Sequence, residues 1–250
     1  MKYYIKSHKW KQILKFLRQI KGIHTEDEYI LRKFVESIWY MVRSGCQWRL
    51  LPDYYGCWRS IHRRFKRWVD QGIWEKLLEF VQVDKDLENV MIDATIVRAH
   101  ACSSGYKKDS QDQEALGRSK GGFTTKIHAM VDALGNPLKF ILTSGQRNDI
   151  TQADSLIKNT SNTTVIADKG YDANSLIQTI EEHQSTAVIP PKKNRKVQKE
   201  YDKHIYKQRH LIECFFGKIK HYRRIFSRFD KSVNVYMGFL NFVGALIWLR

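Results

Sequence analysis

Three acids far apart in a chain of 250 residues, Asp93, Asp168 and Glu213, have the residue type and the settings to share metal ions. Asp93 ends the apolar run of residues 90–93 and Asp168 ends that of residues 164–168, both short enough for buried strands. Glu213 lies in HIYKQRHLIECFFGKIKHYRRIF, residues 204–226, which reads as one amphipathic helix. At about 100° per residue, Tyr206, Arg209, Glu213 and Lys220 point within roughly 60° of one another, while Leu211, Ile212, Phe215, Ile219, Tyr222 and Phe226 face the opposite side. Glu213 is therefore a lone carboxylate on a cationic stripe. Acids at the carboxyl ends of neighbouring strands meet at one sheet edge, and a helix packed across the sheet can bring a third. Three such carboxylates repel one another unless positive charge sits between them. Hard divalent cations of the Mg²⁺ kind, held by oxygen, meet that need. Two of them about 4 Å apart activate a water or a 3′-hydroxyl for phosphodiester displacement. Taken singly, a strand-end Asp is more often a turn residue and a helical Glu a solvated charge. The combination is what points to chemistry.

The charge distribution points the same way. The chain carries 43 Lys and Arg against 26 Asp and Glu, a net charge of +17. Residues 1–89 hold +7, residues 90–189 hold −1 and residues 190–231 hold +10. A near-neutral middle between two basic blocks fits a polyanion, most often nucleic acid, whereas solubility alone needs no such segregation. Hydrophobic residues make up 42%, enough at this length for one large domain or two small ones. Cys46, Cys57, Cys102 and Cys214 show no CxxC pair and read as free thiols in a reducing compartment. The N-terminus lacks the apolar run of a signal peptide. Residues 233–249 are uncharged but fall short of the ~20 residues a spanning helix needs. They read as a core helix, which makes the chain cytoplasmic with no membrane partner.

The elements that must position the acids follow in order. Residues 1–22 suggest a short basic helix. A second opens at Thr25, which makes a capping box with Glu28, and ends at Ser44–Gly45. A turn-rich connector with Pro52 and Gly56 leads to a third helix, residues 58–71, loaded with Arg59, Arg63, Arg64, Lys66 and Arg67 around a buried side of Ile61, Phe65, Trp68 and Val69. That outline suggests a helix-turn-helix DNA-binding region. The polar stretch DKDLEN sets a boundary near residue 88. Beyond it come a strand at 90–93, a hairpin of 123–131 and 138–143, helices near 150–160 and 173–184, and strands at 164–168 and 187–190. Strands interleaved with helices give a mixed α/β sheet covered by helices. Residues 101–122 are Ser-, Gly- and Lys-rich and read as a long mobile loop.

At these residues a resemblance appears. Tyr206, Arg209, Glu213 and Lys220, spaced Y-x₂-R-x₃-E-x₆-K, match the Tyr-Arg-Glu-Lys pattern of bacterial insertion-sequence transposases of the DDE superfamily. MIDATIVRAH around Asp93 and IADKGYD around Asp168 resemble the settings of the first two acids of that family. ALGRSKGGFTTKIHAMVDALGNPLKF looks like the hairpin of the insertion-sequence-5 group, and GCQWRLLPDYYGCWRSIHRRFKRWVDQGIWEKL is similar to its N-terminal helices. The resemblance implies an all-helical DNA-binding region over residues 1–88 and a ribonuclease-H-like catalytic domain over residues 89–250. It implies catalysis by Asp93, Asp168 and Glu213 holding two Mg²⁺, with Mn²⁺ able to substitute. It also implies a homodimer acting on double-stranded DNA, the inverted-repeat ends of an element and its target, and no small-molecule substrate. Arg209 and Lys220 would hold phosphates, with Tyr206 alongside.

Alternatives are a nuclease of the same architecture that hydrolyses without joining, and a DNA-binding protein without chemistry. Asp172, His100 and His128 are lesser candidates: Asp172 reads as a helix cap and the histidines as structural. Lys192, Lys193, Arg195, Lys196 and Lys199 follow Pro190 and Pro191 as a basic loop suited to phosphates.

Overall fold

A computed structural model describes residues 5–23, 25–103, 114–119 and 122–249. Their helices are α1 (Ser7–Leu17), α2 (Glu28–Ser44), α3 (Trp58–Asp70), α4 (Ile73–Phe80), α5 (Ala153–Ile157), α6 (Asn174–Glu182), α7 (Lys203–Tyr206), α8 (His210–Lys220), α9 (Arg223–Phe226) and α10 (Val233–Trp248). The strands that position the acids are β1 (Asn89–Ala99), β2 (Gly117–Ser119), β3 (Gly122–Val131), β4 (Pro137–Ser144), β5 (Thr164–Ile166) and β6 (Thr186–Val188). The chain divides into two compact units, Met1–Val83 with Ile219–Arg250, and Asp84–Lys218.

In the second unit β3 runs antiparallel to β1 on one edge and to β4 and β2 on the other, and β1, β5 and β6 run parallel. An antiparallel trio continued by two parallel strands is the arrangement of a ribonuclease-H-like sheet, as expected. One face buries Val90, Ile92 and Met130 under Leu156, Ile157, Tyr171, Leu176 and Ile180 of the α5–α6 side. On the opposite face Asp93 is in register with Ala129, and Ala129 with Phe140. Directly paired residues share a face, and the Phe140 ring stacks on Phe215 of α8 at 5.9 Å. The helix bearing Glu213 thus lies over the face that carries Asp93.

The first unit is helical. Phe34, Phe65, Trp68, Trp74, Phe239 and Phe242 form a continuous aromatic core, with Phe65 stacked on Phe239 at 4.3 Å and Trp68 against Trp74 at 5.2 Å. Because α10 is apolar all round, it is buried along most of its length. That burial groups residues 219–250 with the helical unit, and along the chain the division by compactness falls after Val83. No helix among the described residues is long and apolar enough to cross a membrane.

Several local expectations change. The cap of α2 is Asp27, whose carboxylate accepts from Ile30 N at 3.1 Å; Thr25 Oγ1 accepts from Asp27 N instead of forming the box with Glu28. Gly45, at φ +66°, ends α2 as expected, in the left-handed region open to glycine. Between α2 and α3 lie residues 45–57 with two 3₁₀ turns, Trp48–Leu50 and Asp53–Tyr55, a link longer than the 3–4 residues of a helix-turn-helix. The single helix expected over 204–226 is broken. A 3₁₀ turn, Lys207–Arg209, separates α7 from α8, and Tyr222, extended at φ −87° and ψ 107°, separates α8 from α9. Phe226, expected on the buried side, is 61% exposed. Within the expected mobile loop, Ala101–Ser103 form a 3₁₀ turn and β2 pairs with β3; residues 104–113, 120 and 121 lie outside the described residues.

Candidate active site

Asp93 is not at a strand end. It sits in the middle of β1, which stays paired with β3 through Arg98. The neighbouring strand is what stops: the parallel pairing of β1 and β5 ends at Met91 with Ile166. Two residues further along each chain stand Asp93 and Asp168, so the register sets the acids side by side where β5 gives way to a turn. Asp168 caps that 3₁₀ turn (Lys169–Tyr171), accepting from Gly170 N at 2.7 Å. A Cβ on Gly170 would come within 2.8 Å of Asp168 Oδ1, so a larger residue there would push the carboxylate from its place.

Glu213 arrives on α8. The start of that helix is anchored by Asn89 Nδ2 donating to Gln208 Oε1 at 3.1 Å and by Leu211 against the β3–β4 turn at Gly135. Arg209 Nη1 donates to Asp93 Oδ2 at 3.0 Å, and Arg209 Nη2 donates to Glu213 Oε1. The guanidinium also lies 6.0 Å from the Tyr206 ring centroid. Among the described residues no three His, Cys, Asp or Glu side chains are gathered closely enough to hold a metal ion. Between Asp93 and Glu213 the positive charge is supplied by Arg209. The donor chemistry still fits a hard divalent ion: one carboxylate on β1, a second in the turn just after β5, a third on the covering helix, all oxygen.

Burial raises the Asp93 pKa to about 6, and the Asp168 and Asp149 charges add to the rise; the Ala94 N–H, which donates to Asp93 Oδ1 at 2.7 Å, and Arg209 oppose it. Burial works against the charge on Arg209, yet Asp93 and Glu213 leave its pKa raised. Tyr206 is raised by burial.

Asp149 carries an acidic charge felt at Asp93 and went unrecognised in the sequence, where it stands in the loop QRND with no strand or helix pattern to mark it. Lys126 Nζ pairs with it at 2.7 Å. Tyr171 is fully buried in the same neighbourhood, its hydroxyl pKa pushed up by burial and by Asp93, Asp149 and Asp168. His128 pairs in register with Ala94, which puts it on the face opposite Asp93. Its Nε2 meets Thr143 Oγ1 at 2.8 Å, and burial lowers its pKa to about 4, so it stays neutral. His100 is exposed beside Cys102. Asp172 does not cap α6: its carboxylate accepts from Lys192 N at 2.8 Å and from Arg195 Nη1, and Arg195 also bonds Asn174. Arg195 and Lys192 are therefore committed to the fold of the basic loop, while Lys193 and Lys196 are exposed.

On α3, Arg59 and Arg63 are exposed. Arg64 is packed instead, 4.5 Å from the Phe34 ring and 5.4 Å from Trp68, with Nη2 donating to Ile23 O at 3.3 Å. Its burial and Arg67 lower its pKa to about 10. Arg67 is half-buried. Lys220 is the last residue of α8.

The family model described as the transposase DDE domain matches residues 85–245. The chain belongs to the transposase DDE domain family. A second model, for candidate transposases of the IS4/5 family, matches residues 5–78. A Brucella ovis protein named as a candidate transposase for insertion sequence element IS6501 is 44% identical over 129 residues, 51% of this chain and 99% of that protein. The transposase for insertion sequence element IS1106 of Neisseria meningitidis serogroup B is 27% identical over 62% of this chain, which spans 65% of that protein. Among solved structures, a piggyBac transposase synaptic complex with hairpin DNA aligns at 14% identity and a TM-score of 0.42, covering 78% of this chain and 50% of that one. A pre-cleavage Mos1 transpososome aligns at 11% identity and a TM-score of 0.28, covering 86% and 77%. Within the DDE domain match fall all three acids and the residues of the Tyr-Arg-Glu-Lys spacing.

Proposed function

We propose that this DDE domain protein is a DNA transposase that cuts the ends of an insertion sequence and joins the freed 3′-hydroxyl to target DNA, acting as a homodimer on the two ends. The single observation that carries the reading is the register that sets Asp93 beside Asp168, with Arg209 tying Asp93 to Glu213 on α8. Asp93, Asp168 and Glu213 would hold Mg²⁺, or Mn²⁺ in its place, and these ions when bound supply Lewis-acid stabilisation of phosphoryl oxygens. The chain's own contribution would be to present the three acids from β1, the turn after β5 and α8. It also offers Arg209, Lys220, Lys193 and Lys196 to phosphates. In the first reaction a water oxygen bonds to phosphorus, the 3′-oxygen leaves and takes up a proton. In the second, that 3′-hydroxyl attacks a target phosphodiester and displaces the target's own 3′-oxygen, so no net phosphodiester bond is lost on joining.

The test uses the purified chain, DNA from the sequences flanking its gene as end substrate, and a supercoiled target plasmid. A joined end–plasmid product that needs Mg²⁺ or Mn²⁺ and disappears in Asp168→Ala is the expected result. Hydrolysis without joining would make the chain a nuclease, and the absence of any metal-dependent cutting would leave a DNA-binding protein.

A further inference from the structure

The helical unit has a groove of about 850 Å³ between the first turns of α2 and the length of α3. Its floor is apolar: Phe34, Tyr55 and Ile61 are all at least nine-tenths buried. Its walls are cationic and aromatic. Tyr29 and Lys33 stand on the α2 side and Arg63, Arg64 and Arg67 on the α3 side, and no Asp or Glu is among the described residues that line it. Tyr29 is 65% exposed and Ile30 47% exposed at its rim, beside the charged wall. Lys33 Nζ lies 5.5 Å from the Tyr29 ring and 5.1 Å from that of Tyr54.

Lys33, Arg63 and Arg67, with Arg64 packed on Phe34 and Trp68, make the groove select an anion, but an intact duplex would use only part of what the groove offers. A duplex presents phosphates outward and keeps its base faces stacked, so Tyr29 and the apolar floor would go unused. A nucleotide whose base has left the stack presents a phosphate and a flat π-face together, and aromatic residues interleaved with cations are the usual way to hold one. The volume falls within the range of ligand pockets, roughly 300–1,000 Å³.

We propose that this groove holds an unpaired nucleotide of bound DNA, its base against Tyr29 and the apolar floor and its phosphate at Lys33 and Arg63. The proposal rests on the reading of the chain as a DNA-processing protein and adds the class of DNA that the helical unit takes, single-stranded rather than paired.

Two probes test it with the full chain: a blunt duplex, and the same duplex with a short single-stranded extension carrying 2-aminopurine, whose fluorescence falls when the base stacks. Wild type should bind the extended probe about tenfold more tightly than the blunt one and quench it, in line with stacking of one base. Tyr29→Ala should lose both the preference and the quench at an unchanged melting temperature, since the side chain is exposed; Tyr29→Phe should keep them. The exposed Cys57 thiol lines the groove, so its alkylation should be slowed by the extended probe and not by the blunt duplex at equal saturation. Binding of both probes with equal affinity and no quench, or a Tyr29→Ala protein indistinguishable from wild type, overturns the groove assignment alone. Failure to bind either probe overturns it together with the DNA-processing reading.

Discussion

Arg209 Nη1 lies 3.0 Å from Asp93 Oδ2, and the same guanidinium holds Glu213 through Nη2. A side chain four residues before the third acid thus supplies the cation that keeps two of the acids together. On the proposed function, the arginine and a divalent ion would compete for the same carboxylates.

Replacing the arginine should expose that competition. Arg209→Gln removes charge-assisted bonds from partly buried carboxylates and should cost on the order of 1–3 kcal/mol of stability. Because the repulsion among the acids would then be relieved chiefly by metal, saturating Mn²⁺ should raise the melting temperature of Arg209→Gln more than that of wild type. Equal rises in the two proteins would show that the arginine does not share the metal's ligands.

The raised pKa of Asp93 has a definite sign in stability. Its folded value, about 6, lies above the unfolded value of 3.8, so between them the folded chain binds more protons than the unfolded one. Its contribution is therefore favourable at low pH and is lost as pH rises through about 4 to 6. Asp93→Asn lacks the term. Differential scanning across that window should show the melting temperature of Asp93→Asn gaining on wild type as pH rises. A constant difference from pH 4 to 7 would contradict the buried, proton-binding carboxylate.

Two neighbouring arginines on α3 should separate cleanly. Arg63 is exposed, so Arg63→Ala should weaken DNA binding and reduce the slope of log affinity against log salt by about 1, with little change in melting temperature. Arg64 packs on Phe34 and Trp68, so Arg64→Ala should lower the melting temperature by several degrees. Thermal scans paired with binding isotherms at several salt concentrations read both, and the reverse pattern would contradict the packing.

The basic loop depends on one buried acid. Asp172 is 6% exposed and receives both Lys192 N and Arg195, so Asp172→Ala removes the loop's charge-assisted partner, leaving Arg195 only Asn174, and should cost on the order of 1–3 kcal/mol. Limited proteolysis should then cut first within residues 192–199. Wild-type resistance in that stretch would remove the pinning role.

Much of the candidate site was legible in the residues because its signals are local. Short apolar runs ending in acids marked Asp93 and Asp168, and helical periodicity put Arg209 and Glu213 on one stripe. The length of β1 was not legible, since the apolar run stops at Asp93 and residues 94–99, with Ile96 exposed and Val97 buried, show no simple alternation and are held extended by pairing with β3. The break at residues 207–209 and the turn at Tyr222 were hidden for a related reason, because the apolar period runs through both. Arg64, Arg195 and Lys192 looked like phosphate ligands by type alone; only tertiary packing shows the first against aromatic rings and the others bound to Asp172. Asp149 had no periodic pattern around it, and its charge near Asp93 comes from the fold alone. The placement of residues 219–250 with the N-terminal helices likewise comes from a long-range docking of α10 that no local pattern encodes.

The most direct measurement is Mn²⁺ binding to the DNA-free protein, followed by the electron paramagnetic resonance signal of the free ion. Wild type should take up Mn²⁺, and Asp93→Asn, Asp168→Asn and Glu213→Gln should each weaken that uptake at least tenfold while remaining folded. Undiminished uptake by Glu213→Gln, with Asp93→Asn and Asp168→Asn impaired, would contradict a shared site and leave Glu213 as a partner of Arg209 alone.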